Sequence, residues 1–352
     1  MENYEICLKI HSIRVKVNTN YRPYAQYLRS YFDKIIIPAS PGGYEIESIA
    51  HWQQDFWGNN PPRLNEGCFS DFESIGASTL LKGQRLIKLE KINKRKFRFD
   101  FSLDGKTLNV KAVYQHRTLR QALQKLSGKV NDMLFSDFTY YFIYYPVFWY
   151  LENFQQIFVL HAASVAIKDS IFVFCGLENM GKTTLSLAAL KDSDSIFISD
   201  NLVFYDSNNI FACHQPIKLR PNQERKFPHL AMKKLREFKL KTFYELSGPE
   251  SPTAKLSFVF LLMRFARDPY LQEINKDEFV HLVYNTNFLV WELENYEHFA
   301  RLLNLIGRNV SLKDLRLSAF RELTQRSRCY LFGIGRDETI DQALFRIRSL
   351  LN

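Results

Sequence analysis

The sequence predicts an α/β chain: a β-rich N-terminal domain followed by a core in which strands and helices alternate. Three observations predict it. Apolar and polar residues alternate at period two near the N-terminus and again from Lys88 to His116. From Phe154 onward, apolar strand-like runs and helix-like runs follow one another. Between one such strand and one such helix lies a loop bracketed by glycines, Gly176 to Thr183.

Taken in order, "YEICLKI" and "IRVKVNT" alternate as half-buried strands do, and "YRPYAQYLRSYFDKI" has the spacing of a helix. Residues 37–75, punctuated by "PASPGG" and "GNNPPRLNEG", are expected to be loop-rich. Strands resume in "KLEKINKRKFRFDFSLDGKTLNVKAVYQH", with "LDGK" as a hairpin turn. The aromatic-rich run from Arg117 to Asn153 is mostly helical in spacing. These readings divide the chain into a β-rich domain over 1–125, an aromatic helical connector over 126–153 and a nucleotide-binding domain over 154–352.

In that last part, "QIFVLHAASVAI" and "SIFVFCG" read as two strands joined by a short turn. A helix from about Lys182, the strand "SIFISDNLVFYD" and the buried strand "LSFVFLLMRF" come next. "RCYLFGIGRD" is a late strand and "TIDQALFRIRSLL" a final helix.

Composition bounds the function classes. The chain has 352 residues, is 46% hydrophobic and 15% aromatic, and can therefore bury a substantial core. The apolar run Tyr140–Leu151 contains Pro146 and is too short to span a bilayer. The N-terminal residues lack a basic-then-apolar leader, and the five cysteines (Cys7, Cys68, Cys175, Cys213, Cys329) have no metal or redox spacing. Both point to a cytoplasmic protein with reduced thiols. A net charge of +10 favours acidic partners without choosing among nucleotide, phosphoprotein, nucleic acid and anionic membrane. Two basic segments, Lys88–Phe99 and Arg225–Lys241, account for much of it. A solvated face explains both, the second as an amphipathic helix after Pro228.

Gly176-Leu177-Glu178-Asn179-Met180-Gly181-Lys182-Thr183 satisfies G-x-x-x-x-G-K-[ST] between the strand Ile171–Cys175 and the helix-forming "KTTLSLAAL", whose Thr184 follows the motif. Glycines let backbone N–H groups curl around a phosphate, and the helix N-terminus adds a favourable dipole. Lys182 would reach the β and γ oxygens of ATP, and the Thr183 hydroxyl would ligate Mg²⁺. Asp200 ends the apolar run "IFIS" one helix later, where a metal-binding or water-orienting carboxylate is expected. His161 lies on the strand before the loop strand; taken alone, such a histidine is more often a satisfied core residue.

The ordered set "LHAASVAIKDSIFVFCGLENMGKTTLSLAAL…SIFISDNLVFYD" resembles the catalytic segment of HPr kinase/phosphorylase-like proteins, whose nucleotide core is related to that of phosphoenolpyruvate carboxykinases. The likeness covers Leu160 to Asp206. It extends more weakly to "HQPIKLRPN" and to the N-terminal "IRVKV…YAQYLRSYF", as in HPr-kinase-related proteins of peptide-modification clusters. The resemblance implies an HPr kinase-like P-loop core in which Gly176, Gly181, Lys182 and Thr183 hold ATP and Mg²⁺. It implies that Asp200 acts on the metal or the acceptor hydroxyl, and that His161 contacts the phosphoryl group in flight. Arg220 is either a charge stabiliser or a surface arginine.

Two departures matter. The second acidic position is Asn201, which cannot take a proton, and the downstream arginine-glycine signature of true HPr kinases is missing. HPr is therefore unsupported as substrate. The expectation is an ATP- and Mg²⁺-dependent kinase acting on a hydroxyl of a peptide, protein or small molecule, with oligomerisation open. The rivals are a nucleotide-binding module without transfer activity and a nucleic-acid-directed kinase or NTPase.

Overall fold

A computed structural model describes residues 2–40, 42–55, 71–117, 132–237, 241–246, 254–264, 268–307 and 311–351. It is a mixed α/β structure with several sheets, divided into two compact units. The first comprises residues 1–155 and 296–310; the second comprises 156–295 and 311–352. The boundary expected near residue 125 falls outside the described residues. The described part of the expected connector, 132–153, belongs to the first unit.

The first unit is built on a nine-stranded mixed sheet. Its strands are β1 (Tyr4–Ile10), β2 (Ile13–Thr19), β3 (Ile36–Ile37), β4 (Ile46–Asp55), β5 (Glu73–Gly76), β6 (Thr79–Lys82), β7 (Arg85–Ile92), β8 (Arg95–Asp104) and β9 (Thr107–Arg117). The order is β3-β1-β2-β4-β9-β8-β7-β6-β5. On β8, Phe97, Phe99 and Phe101 turn inward at period two while Arg98 and Asp100 turn out. The basic segment Lys88–Phe99 thus forms a hairpin of β7 and β8 whose charges are largely its solvated side.

Against the phenylalanine row lies a helical stretch, Asp132–Thr139 and Tyr145–Tyr150, with π-helical turns at Tyr140–Tyr144 and Leu151–Gln155. Each π turn adds a residue and so rotates the side chains that follow it. Every residue from Phe138 to Asn153 is buried, as an aromatic, apolar helix surface on all sides requires. Phe138 stacks on both Phe97 and Phe142 with centroids 4.9 Å apart. The helix Arg22–Tyr31 adds Tyr24, Tyr27, Leu28 and Tyr31 at the expected i, i+3, i+4, i+7 spacing.

One expectation for this unit is corrected. The loop-rich reading of 37–75 hides a ten-residue strand, β4, paired in parallel with β2 and β9. Its inward row, Ile46, Ser48, Ala50 and Trp52, is half small or polar, so the apolar alternation is too weak to stand out between the flanking prolines and glycines.

The second unit holds β10 (Phe158–Leu160), β11 (Ala162–Ile167), β12 (Ser170–Cys175), β13 (Ser195–Ser199), β14 (Val203–Tyr205), β15 (Ile210–Ala212), β16 (Ile217–Leu219), β17 (Met232–Glu237), β18 (Thr242–Leu246), β19 (Lys255–Arg264), β20 (Tyr270–Glu273) and β21 (Arg328–Ile334). Its main sheet runs β13-β11-β12-β19-β21-β20, flanked by the small sheets β10-β14-β15 and β16-β18-β17. β12, β19 and β21 are parallel and carry near-continuous apolar runs because both faces are covered. The Lys182–Ala189 and Ile340–Arg348 helices share one core cluster; Lys276–Asn287 and Leu312–Gln325 share the other. The final helix starts at a capping box of Thr339 and Gln342.

Two sequence expectations change here. Where an amphipathic helix is expected after Pro228, the described residues form strand β17, preceded by a short 3₁₀ turn at Gln223–Lys226; residues 238–240 lie outside the described residues. On β17, Lys234 and Arg236 flank Leu235, and pairing with β18 outweighs helix propensity. "QIFVLHAASVAI" and "SIFISDNLVFYD", each expected as one strand, both break in the middle and pass from one sheet to another.

Gly307 lies against Trp149, whose indole donates to Asn304 Oδ1 at 2.8 Å. A Cβ on Gly307 would come within 2.3 Å of the indole ring. Gly307→Ala is therefore expected to destabilise the first unit by about 1–3 kcal/mol, read as a lower urea midpoint of its unfolding transition.

Candidate functional site: the β12 loop and the corner beside it

The two broken strands put the site together. β10 pairs with β14 as far as Leu160↔Val203, and β11 pairs with β13 from Ser164↔Ser199. The residues between these two pairings, 161–163 and 200–202, therefore face each other. β11 also pairs with β12, with Ala162 opposite Cys175, so His161 is next in register to Gly176. His161, Asp200 and the glycine-bracketed loop converge at one end of three adjacent strands.

The loop leaves β12 at Gly176, whose φ is +130°. A Cβ there would meet the Leu262 carbonyl oxygen at 2.8 Å, so the position excludes a side chain on two grounds. Asn179 (φ +63°) and Gly181 (φ +104°) complete the curl, and Gly181 caps the Lys182–Ala189 helix. Leu177, Glu178 and Asn179 are exposed at the tip, while Met180 packs against the core. Thr184 is half-buried in the first turn. The loop lies at the C-terminal ends of parallel strands, where open α/β sheets bind ligands.

Lys182 is only 7% exposed and donates to the carbonyls of Gly176 and Leu177, both at 2.8 Å. That uses two of its three donors. Burial pushes its ammonium pKa down to about 8, with Asp200 pulling upward. Thr183 Oγ1 donates to Asp200 Oδ1 at 2.8 Å, which fixes the carboxylate that ends β13 against the helix that opens the loop. Asp200 is 4% exposed, and burial raises its pKa against the opposing effects of Thr183 and Lys182. Asn201, at φ +69°, makes the turn out of β13, and its amide donates to Gln215 Oε1 at 3.0 Å.

His161 is 5% exposed. Its backbone N–H donates to Asn287 Oδ1 at 2.6 Å, but neither ring nitrogen has a hydrogen-bond partner among the described residues. Burial, then the positive charges of Lys182, Lys218 and Lys241, hold the imidazole well below its ordinary pKa. It is neutral at neutral pH, with one donor and one acceptor nitrogen in a site lined by cations. A satisfied core histidine would not leave both nitrogens bare. Arg220 reaches the loop tip, donating to Asn179 Oδ1 at 2.7 Å.

The sequence reading missed Lys218, Glu292 and Asn287. Lys218 Nζ lies 3.8 Å from Glu292 Oε1, and both side chains are 12% exposed. "IKLR" carried a signal for the lysine, since two apolar and two basic residues alternate; Glu292 and Asn287 carried none.

A magnesium ion fits the Thr183–Asp200 pair, because a hydroxyl and a carboxylate 2.8 Å apart are the hard oxygen donors such an ion takes alongside phosphate and water. Among the described residues there is no cluster of three or more His, Cys, Asp or Glu that would form an all-protein cage. No helix of the described residues is long and apolar enough to cross a membrane. No protein-family model matches the chain, and no curated protein matches it.

Two outcomes follow for phosphate binding. An anion on Lys182 favours the ammonium form, so binding above pH 8 must take up a proton. Nucleotide affinity should stay level below pH 8 and fall by up to about tenfold per unit above it, with proton uptake seen by calorimetry in buffers of different ionisation enthalpy. Gly176→Ala, which would force a contact with Leu262, should abolish nucleotide binding in the same calorimeter.

Proposed function

We propose that the second unit is an ATP- and Mg²⁺-dependent phosphotransferase of HPr kinase-like type, acting on a hydroxyl acceptor. The observation that carries this reading is the meeting of Lys182, the Thr183–Asp200 pair and a His161 whose ring nitrogens have no partner among the described residues, at one corner of β13, β11 and β12. Gly176 to Thr184 would cradle the nucleotide phosphates with backbone N–H groups and the helix dipole. Thr183 and Asp200 would hold magnesium, which supplies charge neutralisation at the phosphates.

The chain's own residues then divide the remaining work. Lys182 binds the β and γ oxygens. His161, being neutral, donates its single ring N–H to a phosphoryl oxygen without adding charge. Asp200 accepts the acceptor's hydroxyl proton through the carboxylate oxygen that Thr183 does not engage. As that proton leaves, the acceptor oxygen bonds to the γ-phosphorus, the bond from phosphorus to the β–γ bridging oxygen breaks, and ADP departs. Arg220, anchored on Asn179, stabilises charge at the loop tip. The first unit would select the acceptor. A nucleic-acid acceptor is less favoured, because several basic side chains are paired with carboxylates, among them Arg85 with Asp100 and Lys233 with Glu245.

Asn201 favours a second reading, in which the unit binds ATP without transferring phosphate. One experiment separates the two. The chain is incubated with γ-labelled ATP and a lysate of its own source, and new phosphate is located by mass spectrometry, with Lys182→Ala as the blank. Transfer is expected, falling by about 10²–10⁴-fold in Asp200→Asn. Intact bound ATP, with wild type and Asp200→Asn alike in phosphorylating nothing, supports the second reading instead.

A further inference from the structure

The alternation of β11 places the His161 side chain. Val165 and Ile167 belong to the core cluster that holds Leu185 and Leu187, whereas Leu160, Ala162 and Ala166 belong to the cluster on the opposite face. Parity therefore puts His161 on the face covered by the Lys182–Ala189 helix. On β12 the same face takes Phe172 and Phe174, and the next position of that row is Gly176, opposite His161, with no side chain to fill the space. After burial itself, the Lys182 charge acts most strongly on the imidazole, and its ammonium lies 2.8 Å from the Gly176 carbonyl.

In a histidine that serves as a fixed donor, a hydrogen bond at one nitrogen decides which of the two carries the proton. Here Nδ1 and Nε2 are both buried without a hydrogen-bond partner among the described residues. Either tautomer is therefore open, and either nitrogen can turn a lone pair toward the loop. The neighbouring groups do not compete for that role. The Lys182 ammonium keeps its proton below pH 8 and gives two hydrogens to carbonyls. The Thr183 hydroxyl donates to Asp200. The Cys175 thiol belongs to the opposite core cluster, where burial pushes its pKa up. An unprotonated imidazole nitrogen beside a bound phosphate is a nucleophile.

We propose that His161 is itself a phosphoryl acceptor, so that the second unit, with magnesium and ATP bound and no hydroxyl substrate in place, phosphorylates its own imidazole. The proposal rests on the reading of the second unit as a nucleotide site. The unprotonated ring nitrogen bonds to the γ-phosphorus. The bond from phosphorus to the β–γ bridging oxygen breaks, and ADP keeps that oxygen with its electron pair. The proton on the other ring nitrogen stays there, its positive charge offset by the phosphoryl group. Lys182 stabilises the oxygens of the group in transit. The reverse step returns the phosphoryl group to ADP. With a hydroxyl substrate in place, the ring presents its N–H instead, as in the transfer described above.

The test needs no lysate and no knowledge of the hydroxyl substrate. The full chain is incubated with magnesium and γ-labelled ATP, and separately with magnesium, unlabelled ATP and labelled ADP. Label is expected on the chain, lost in acid and kept in alkali as a phosphorus–nitrogen bond behaves, and located at His161 by mass spectrometry of peptides kept alkaline. Label from ADP is expected to pass into ATP. His161→Gln, which keeps an amide donor but has no nucleophilic nitrogen, should lose both signals. Its affinity for the non-hydrolysable β,γ-imido analogue of ATP, read by calorimetry, should stay within about threefold of wild type. Acid-stable label, or label that persists in His161→Gln, overturns the role of His161. A wild type that binds the analogue but shows neither label nor exchange overturns it as well and leaves the nucleotide reading standing. If His161→Gln no longer binds the analogue, the position of the label in the wild type decides: histidine upholds the proposal and any other residue ends it. If the wild type binds no nucleotide, the nucleotide reading itself fails.

Discussion

An almost fully enclosed lysine ammonium is the constraint around which the second unit is arranged. Desolvating that charge is costly, and the chain answers with two loop carbonyls at 2.8 Å and the nearby Asp200 carboxylate. The carbonyls are available only because the loop curls back on Lys182, which requires the positive φ at Gly176, Asn179 and Gly181. The carboxylate is available only because β13 ends where the loop helix begins and Thr183 fixes it there. The same low-dielectric enclosure that depresses the lysine raises the aspartate and keeps His161 neutral. One physical cause thus shifts all three groups toward their neutral forms.

The strand breaks belong to the same arrangement. A continuous strand through His161 would have satisfied its neighbours in one sheet and given the site no corner. Instead both segments switch sheets at opposed positions, and side chains secure the exposed backbone. Asn287 takes the His161 N–H, and the Ser199 hydroxyl sits between the carbonyls of Leu202 and Cys213. Helix Lys276–Asn287 therefore contributes to the site through its last residue as well as to the core through Phe279, Val280 and Val283.

Much of the second unit's site was legible because its signals are local. The glycine spacing, the preceding apolar strand and the Asp ending "IFIS" are each contained in a few residues. What was not legible depends on non-local pairing. No local pattern announces that "LHAA" and "SDNL" break opposite one another, since both read as continuous apolar strands until pairing with β12 and β14 is known. Lys218 was half visible in its alternation with Ile217 and Leu219, whereas Glu292 enters from a helix far along the chain. In the first unit the aromatic stretch read as helical, but its π turns leave no mark in composition. β4 was lost because Ser48 and Ala50 occupy inward positions where a strand usually shows branched apolar residues.

The discontinuity of the first unit bears on how the protein is made. Tyr296 donates to Glu152 at 2.5 Å, Phe299 lies edge-on to Phe101, and Asn304 receives the Trp149 indole. These partners are synthesised only after residues 156–295, which contain most of the other unit. At roughly 5–20 residues per second of translation, the aromatic helix must wait several seconds on the ribosome with part of its surface uncovered. The nascent chain is thus open to aggregation over that interval, and a messenger cut short before codon 296 would yield a fragment with all nine strands of the first sheet but without Tyr296, Phe299 and Asn304 to cover its aromatic helix, and without β21 in the main sheet of the second unit.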